Sequence, residues 1–122
     1  ALLISADGRL VSAGYNGHPR KTDYDNICFR EGFVPGECQE IVCCEHAERN
    51  CLLFAHYHDM QNATLYLTHA PCTNCANMIL QSGISRIVIP TSQDIRGGIK
   101  YIQKMTNRIK IKQILDMVEG SL

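Results

Sequence analysis

The apolar positions near the start of the chain form two short runs with a turn signal between them. The first run covers positions 1–5 and the second covers positions 9–14, separated by Asp7-Gly8. Two apolar runs on either side of an Asp-Gly pair predict a β-hairpin. Because the first strand is already under way at position 1, we expect that residues preceding it are missing from this sequence.

The remaining elements alternate between helices and strands. A helix over residues 45–58 is predicted from apolar side chains at helical spacing, namely Ala47, Cys51, Leu52, Phe54 and Ala55. The later patterns predict a strand over 63–68, a helix over 72–81, a buried strand within 84–90, a helix from 98, a strand at 109–111 and a short helix over 113–119. This order predicts a single α/β domain over residues 1–122, with its sheet covered on both faces.

Composition limits the classes of protein that fit. The chain has 122 residues, enough for one domain, and its 12 basic residues balance its 12 acidic residues. A neutral chain has no overall basic field to attract nucleic acid, and no apolar run approaches the ~20 residues that span a bilayer. Seven cysteines without a visible signal peptide fit a reducing compartment, so we expect a cytoplasmic protein.

The strongest chemical signal has two halves, His46-Ala47-Glu48 and the later Pro71-Cys72-Thr73-Asn74-Cys75. One imidazole and two thiolates are suitable zinc ligands, and a site with three protein ligands keeps its fourth position for water. Glu48 is then the group that moves protons between that water and a substrate nitrogen. The pattern is typical of zinc-dependent nucleobase deaminases. The alternative is a closed structural zinc site in which Cys43 or Cys44 is the fourth ligand.

A wider set of residues between positions 14 and 90 matches a known family. It comprises Gly14-Tyr15-Asn16-Gly17-x-Pro19, Cys28-x-Arg30, Pro35-x-Glu37, His46-Ala47-Glu48-x-Asn50, Tyr66-Leu67-Thr68-His69-x-Pro71-Cys72-x-x-Cys75 and Ser82-Gly83-Ile84. On these residues the chain resembles the deoxycytidylate (dCMP) deaminases of the cytidine deaminase superfamily. The Gly-Tyr-Asn-Gly loop separates that family from tRNA adenosine deaminases and free-nucleoside cytidine deaminases, which share the zinc motif.

The resemblance implies a three-layer αβα fold with a mixed central sheet and an N-terminal helix that is missing here. It implies hydrolysis of dCMP to dUMP and ammonia, which would supply dUMP for thymidylate synthesis. His46, Cys72 and Cys75 would hold the catalytic Zn2+, and Glu48 would be the proton shuttle. Asn16 would hydrogen-bond the substrate sugar, and the backbone N–H of Ala47 would hold the pyrimidine carbonyl.

The resemblance also implies a homo-oligomer, usually a hexamer, with dCTP as activator, dTTP as inhibitor and Mg2+ accompanying the allosteric nucleotide. Several relatives hold a second, structural zinc before the His-Ala-Glu helix. Here only Cys28 lies at one of the expected positions, while Asp23 and Val42 occupy two others. We therefore expect one zinc, with a second structural ion as the alternative.

Three functions compete. The first is a deaminase of dCMP or of another cytosine nucleotide such as dCTP, whose phosphate could be held by Arg20, Lys21 or Arg30. The second is an RNA- or single-strand-editing deaminase, which the zero net charge and the nucleotide-type loop disfavour. The third is a non-catalytic zinc module, in which Glu48 would have no purpose.

Overall fold

The computed structural model describes residues 1–16, 46–90, 94 and 96–114. Within these ranges the chain forms five strands and four helices. In chain order they are β1 (Leu2–Ile4), β2 (Leu10–Ala13), α1 (Ala47–Leu53), α2 (Tyr57–Met60), β3 (Thr64–Tyr66), α3 (Thr73–Ser82), β4 (Arg86–Ile89), α4 (Gly98–Met105) and β5 (Lys110–Gln113).

The strands form one mixed sheet in the order β2-β1-β3-β4-β5. The predicted hairpin is confirmed, since β1 and β2 pair antiparallel and Gly8 turns between them with a positive φ of 90°. β1 also pairs antiparallel with β3, whereas β3, β4 and β5 are parallel neighbours joined through α3 and α4. The α/β prediction with a mixed central sheet is therefore confirmed.

The core lies between the sheet and the helices that connect its strands. Its fully buried side chains come from strands and helices alike, and the largest are Leu3, Leu65, Ile79, Ile87, Ile89 and Ile102. The helix α3 ends at Gly83, whose φ of 91° suits a left-handed C-cap, as its sequence position predicts. Because α3 follows β3 and α4 follows β4, both helices begin near the carboxyl ends of these parallel strands, where ligands commonly bind.

Two predicted elements differ from the structure. The single helix over 45–58 is wrong, because α1 ends at Leu53 and a separate short helix, α2, begins only after the extended backbone of His56. The apolar spacing was misleading, since Leu53 and Phe54 are 68% and 51% exposed and do not continue the buried stripe. The helix predicted over 113–119 is wrong at Gln113, which belongs to β5, and positions 115–119 lie outside the described residues.

Candidate active site

The starts of two helices form the site. His46 is the N-cap residue of α1, with an extended backbone of φ −70° and ψ 151°. Cys72 is the N-cap residue of α3, with φ −76° and ψ 171°, and Cys75 follows within its first turn. Because α1 packs against α3, residues 26 and 29 positions apart in sequence meet in space. The starts of the two helices therefore lie side by side.

The three predicted metal ligands lie together. The Nδ1 atom of His46 is 3.3 Å from the Sγ atom of Cys75 and 3.5 Å from the Sγ atom of Cys72. All three candidate ligand atoms lie within 4.8 Å of one another, and within the described residues the group has only these members. Three side chains of mixed nitrogen and sulfur type leave one position of a tetrahedral ion to other ligands.

These separations fit a zinc ion. Zinc binds imidazole nitrogen at about 2.0 Å and thiolate sulfur at about 2.3 Å, so two tetrahedral ligands of these kinds lie about 3.5 Å apart. The distances from His46 to both cysteines agree with that value. The donor set also suits zinc, because soft thiolates select against the hard cations calcium and magnesium.

The two cysteine thiols differ in how firmly they hold a proton. The pKa of Cys72 is lowered to about 4, because its sulfur accepts a hydrogen bond from the Cys75 side chain, another from the Cys75 backbone, and lies beside His46. The pKa of Cys75 is raised, because it donates that side-chain hydrogen bond, is buried, and lies near the carboxylate of Glu48. Zinc binding requires thiolates, so it would release any proton that either thiol holds.

Glu48 lies beside this group but outside it. It is the second residue of α1 and is 7% exposed. Its Oε2 atom has no hydrogen-bond partner among the described residues. A buried polar atom without a partner is unfavourable by about 1–3 kcal/mol, and by more when it is charged. A buried carboxylate oxygen of this kind fits a group that meets a substrate or a reacting water.

The turn after β2 holds the start of α1. The Oδ1 atom of Asn16 accepts a 2.7 Å hydrogen bond from the backbone N–H of Ala47. His46 makes no side-chain cap bond, so Asn16 satisfies a helix N–H group that a local cap would otherwise bind. Asn50, one turn further along α1, donates a 2.9 Å hydrogen bond to the carbonyl of Tyr15.

Gly14 allows this close approach. A Cβ atom there would lie 2.5 Å from both the carbonyl oxygen of Ala47 and the backbone nitrogen of Cys51. Both atoms belong to the backbone of α1, so a side chain at this position would push the whole helix away. The Gly-Tyr-Asn sequence is thus a structural support of the helix that carries Glu48.

The two residues predicted to contact the substrate, Asn16 and Ala47, are hydrogen-bonded to each other. Asn16 was predicted to meet the sugar and Ala47 the pyrimidine carbonyl, and the structure joins them by one hydrogen bond. The predicted phosphate candidates and the alternative zinc ligands, namely Arg20, Lys21, Arg30, Cys43 and Cys44, lie outside the described residues. The side chains of His56, His58 and His69 are exposed and lie outside this ligand group.

One neighbour of the site was not predicted. The start of α4 lies against the segment that carries Cys72, and an isolated β-bridge joins Cys72 to Gly97. The Gly97-Gly98 pair predicted the beginning of a helix, and it is the only signal that the sequence offered. Its contact with residues about 25 positions earlier depends on how α4 packs, which the pair itself does not encode.

The comparisons with known proteins agree with this geometry. The family model for the cytidine and deoxycytidylate deaminase zinc-binding region matches residues 1–91. This range includes His46, Glu48, Cys72 and Cys75. The chain therefore belongs to the cytidine and deoxycytidylate deaminase family.

Several relatives of known name are similar in sequence. The deoxycytidylate deaminase of Mycobacterium phage D29 is 37% identical over 99 residues, which cover 72% of this chain and 74% of the relative. A probable deoxycytidylate deaminase of Drosophila melanogaster is 32% identical over 124 residues, covering 97% of this chain and 57% of the relative. The Saccharomyces cerevisiae deoxycytidylate deaminase is 38% identical over 96 residues, 74% of this chain and 30% of the relative.

The fold is also similar to a solved structure. The crystal structure of dCMP deaminase from the cyanophage S-TIM5, in complex with dCMP and dUMP, matches with a TM-score of 0.66. The match has 22% sequence identity and covers 92% of this chain and 77% of the other. At that identity the likeness concerns the fold, and it places this chain among proteins with the same sheet and helix arrangement.

Proposed function

We propose that this chain is a zinc-dependent deaminase that hydrolyses dCMP to dUMP and ammonia. The observation that carries this proposal is the convergence of His46, Cys72 and Cys75 beside the buried carboxylate of Glu48, whose Oε2 atom has no hydrogen-bond partner among the described residues. A structural zinc site would need no such carboxylate, whereas a hydrolytic deamination needs a group that moves protons. The chemistry follows from the metal ligands and the acid together.

His46, Cys72 and Cys75 would hold the Zn2+ ion. When bound with three protein ligands, zinc lowers the pKa of a water ligand to about 7 and so supplies a nucleophile at neutral pH. The N-cap position of Cys72 on α3 favours its thiolate form. The family model, which describes a zinc-binding region, supports this assignment because it spans all three residues.

Glu48 would be the proton shuttle. Its carboxylate takes the proton from the attacking water and gives it to the ring nitrogen of cytosine, which makes the neighbouring carbon more electrophilic. A second transfer through Glu48 protonates the amino group, which leaves as ammonia. Water is consumed, and the ring keeps its oxygen as the new carbonyl of dUMP. Burial of Glu48 suits this role because it excludes bulk water from the proton path.

Asn16 and Ala47 would bind the substrate after exchanging partners. The Ala47 N–H can hold the pyrimidine carbonyl only when the Oδ1 atom of Asn16 releases it. The freed Asn16 amide is then able to hydrogen-bond the sugar. Substrate binding thus replaces one hydrogen bond of this N–H by another, so the exchange leaves the helix N–H paired.

The choice of dCMP rests on the relatives. Proteins from a mycobacteriophage and a yeast that are named deoxycytidylate deaminases share 37% and 38% of their aligned residues with this chain. The zero formal net charge argues against a nucleic acid substrate, which would require a basic surface. We infer that the product dUMP serves thymidylate synthesis.

Assembly and regulation are part of the same proposal. We infer that the chain acts in the cytoplasm as a single domain and as a homo-oligomer, with a hexamer as the expected form. Leu53 and Tyr57 are 68% and 60% exposed at the junction of α1 and α2, where a second subunit would bury them. Allosteric dCTP, with Mg2+, and dTTP are the expected effectors. None of the helices in the described part of the chain has the length and apolar character that a membrane-spanning helix needs.

An ammonia-release assay tests the proposed function. The zinc-loaded protein is supplied in parallel with dCMP, dCTP, cytidine and an RNA hairpin that contains cytosine. We expect release of ammonia with dCMP and conversion of dCMP to dUMP. A preference for dCTP would correct the substrate, a preference for the hairpin would support an editing enzyme, and no release from any of them would refute a deaminase.

A further inference from the structure

The start of α4 is in backbone contact with the segment that carries a metal ligand. The N–H of Gly98 donates a 3.1 Å hydrogen bond to the carbonyl of Pro71, the residue before Cys72. Gly97 pairs with Cys72 in an isolated antiparallel bridge. The first turn of α4 thus holds the backbone at Cys72, the residue whose thiol caps the start of α3.

This contact leaves no room for a side chain at Gly98. A Cβ atom would lie 2.1 Å from the carbonyl oxygen of Pro71 and 2.8 Å from the carbonyl oxygen of Cys72. Real Cβ atoms do not approach so closely, and both clashing atoms belong to the backbone. A side chain here would therefore displace either α4 or the segment that carries the Cys72 ligand.

Hydrogen bonds and buried side chains hold the start of α4 in place. The segment that carries Pro71 and Cys72 would therefore take part of the displacement. The carboxylate of Asp94 accepts hydrogen bonds of 3.1 Å from the N–H of Ile99 and 2.9 Å from the N–H of Lys100. Ile99 and Ile102 are buried in the core. The hydroxyl of Tyr101 donates a 2.7 Å hydrogen bond to Asn77 on α3.

We propose that Gly98 is a positioning residue for the metal centre, because it fixes the backbone of Pro71 and Cys72 and thereby the place of the Cys72 thiolate. The inference rests on the proposed function, in that Cys72 must be a zinc ligand. Gly98 lies beyond residues 1–91, which the family model matches, so the centre depends on a part of the chain outside that match. It acts through Cys72 and touches no reacting atom.

The test is the zinc affinity of Gly98→Ala, measured by competition with a chelator. We expect it to be 10- to 100-fold weaker than in the parent, the usual range for groups that orient metal ligands. The absorption spectrum of the cobalt-substituted protein should also change, since it reports the geometry of the thiolate ligands. The matched control is Gly8→Ala, where φ is 90° and a Cβ atom would meet nothing within 4 Å. It should lower stability in urea but leave zinc affinity and the cobalt spectrum unchanged.

A second variant covers the case in which Gly98→Ala fails to fold. Asp94→Asn keeps the size of the side chain but replaces one acceptor of the α4 N–H groups by a donor, which loosens the same helix start without a clash. It should weaken zinc binding in the same direction, though less. Parent-like zinc affinity in a folded Gly98→Ala protein, or in Asp94→Asn if only that variant folds, would overturn the proposal. A parent chain without tight zinc would instead refute the proposed metal centre itself.

Discussion

Each side of the metal centre is supported by a glycine in close contact with a helix or segment backbone, and the two glycines come from different parts of the chain. On the α1 side, Gly14 approaches the backbone of α1 so closely that a Cβ atom would lie 2.5 Å from it. On the α3 side, Gly98 approaches the backbone of the Cys72 segment in the same way, at 2.1 Å. In both places a glycine lets one segment rest directly on the backbone that carries a ligand.

The two sides differ in what surrounds the glycine. The α1 side adds two side-chain hydrogen bonds, in which Asn16 accepts from the Ala47 N–H and Asn50 donates to the Tyr15 carbonyl. The described contacts that join Gly97 and Gly98 to the Cys72 segment are made by the backbone. The α1 side can therefore exchange a hydrogen bond with a ligand, while the α3 side keeps the thiolates in place. We expect variants on the α1 side to affect turnover and substrate binding, and variants on the α3 side to affect metal binding.

The largest effect should come from Glu48, the acid on the α1 side. Glu48→Ala and Glu48→Gln should each reduce turnover of dCMP by about 10⁴-fold, because both proton transfers pass through this carboxylate. Zinc content should stay at the parent level, since Glu48 is not part of the ligand group. Metal analysis and turnover of the purified variants decide the matter.

The Gln variant sharpens this test. It keeps the size and the hydrogen-bonding capacity of the side chain but cannot accept and return a proton. Equal inactivity of both variants would assign the loss to proton transfer. Activity within tenfold of the parent in either variant would remove Glu48 from the mechanism.

The next largest effect should be on the α3 side. Cys72→Ser should weaken zinc binding by more than about 100-fold, beyond the range for residues that only orient ligands. The helix itself should tolerate the change, because serine is a favourable N-cap residue and Cys72 occupies that position. Chelator competition gives the affinity, and circular dichroism gives the helix content.

Cys51→Ser is the matched control for this variant. Cys51 is fully buried in α1, and burial raises the pKa of its thiol, but it is not part of the ligand group. Its serine variant should lose stability and keep one zinc per chain. If Cys72→Ser also kept a tightly bound zinc, the ligand assignment would be wrong.

The sequence pointed to the candidate ligand group and to the strands more clearly than to the residues that support them. His46, Cys72 and Cys75 could be picked out as candidate ligands because zinc restricts both residue type and spacing, and the structure brings the three together. The supports were not found, since the role of Gly98 depends on which backbone it meets after α4 has packed. The break between α1 and α2 was missed for a similar reason. Apolar spacing shows which residues could face a core, but Phe54 is 51% exposed in the folded chain.

Gly14→Ala, measured beside Gly98→Ala, compares the two glycines directly. Gly14→Ala should shift the start of α1 and with it His46 and Glu48, which lowers stability by about 1–3 kcal/mol. A displacement of reacting groups by about 1 Å reduces turnover by about 100-fold. We therefore expect turnover to fall more than zinc affinity, the reverse of the expectation for Gly98→Ala. Urea unfolding, chelator competition and steady-state kinetics on both variants measure the three quantities. Identical profiles for the two glycine variants would show that the two sides do not differ in function.

The smallest effect concerns Asn16. Variants at this position separate its role in holding the start of α1 from its role in binding the substrate. Asn16→Ala removes the acceptor for the Ala47 N–H, so it should destabilise the protein by about 1 kcal/mol, as the loss of a helix cap does. Asn16→Asp keeps an acceptor at this position and places a negative charge near the start of a helix, where it is favourable. The Asp variant should therefore be as stable as the parent. It lacks the amide donor, however, and its charge would repel the substrate phosphate, so its KM for dCMP should rise as it does in the Ala variant. Thermal unfolding and steady-state kinetics of both variants separate the two roles. If Asn16→Asp kept the KM of the parent, Asn16 would serve only to hold the start of α1.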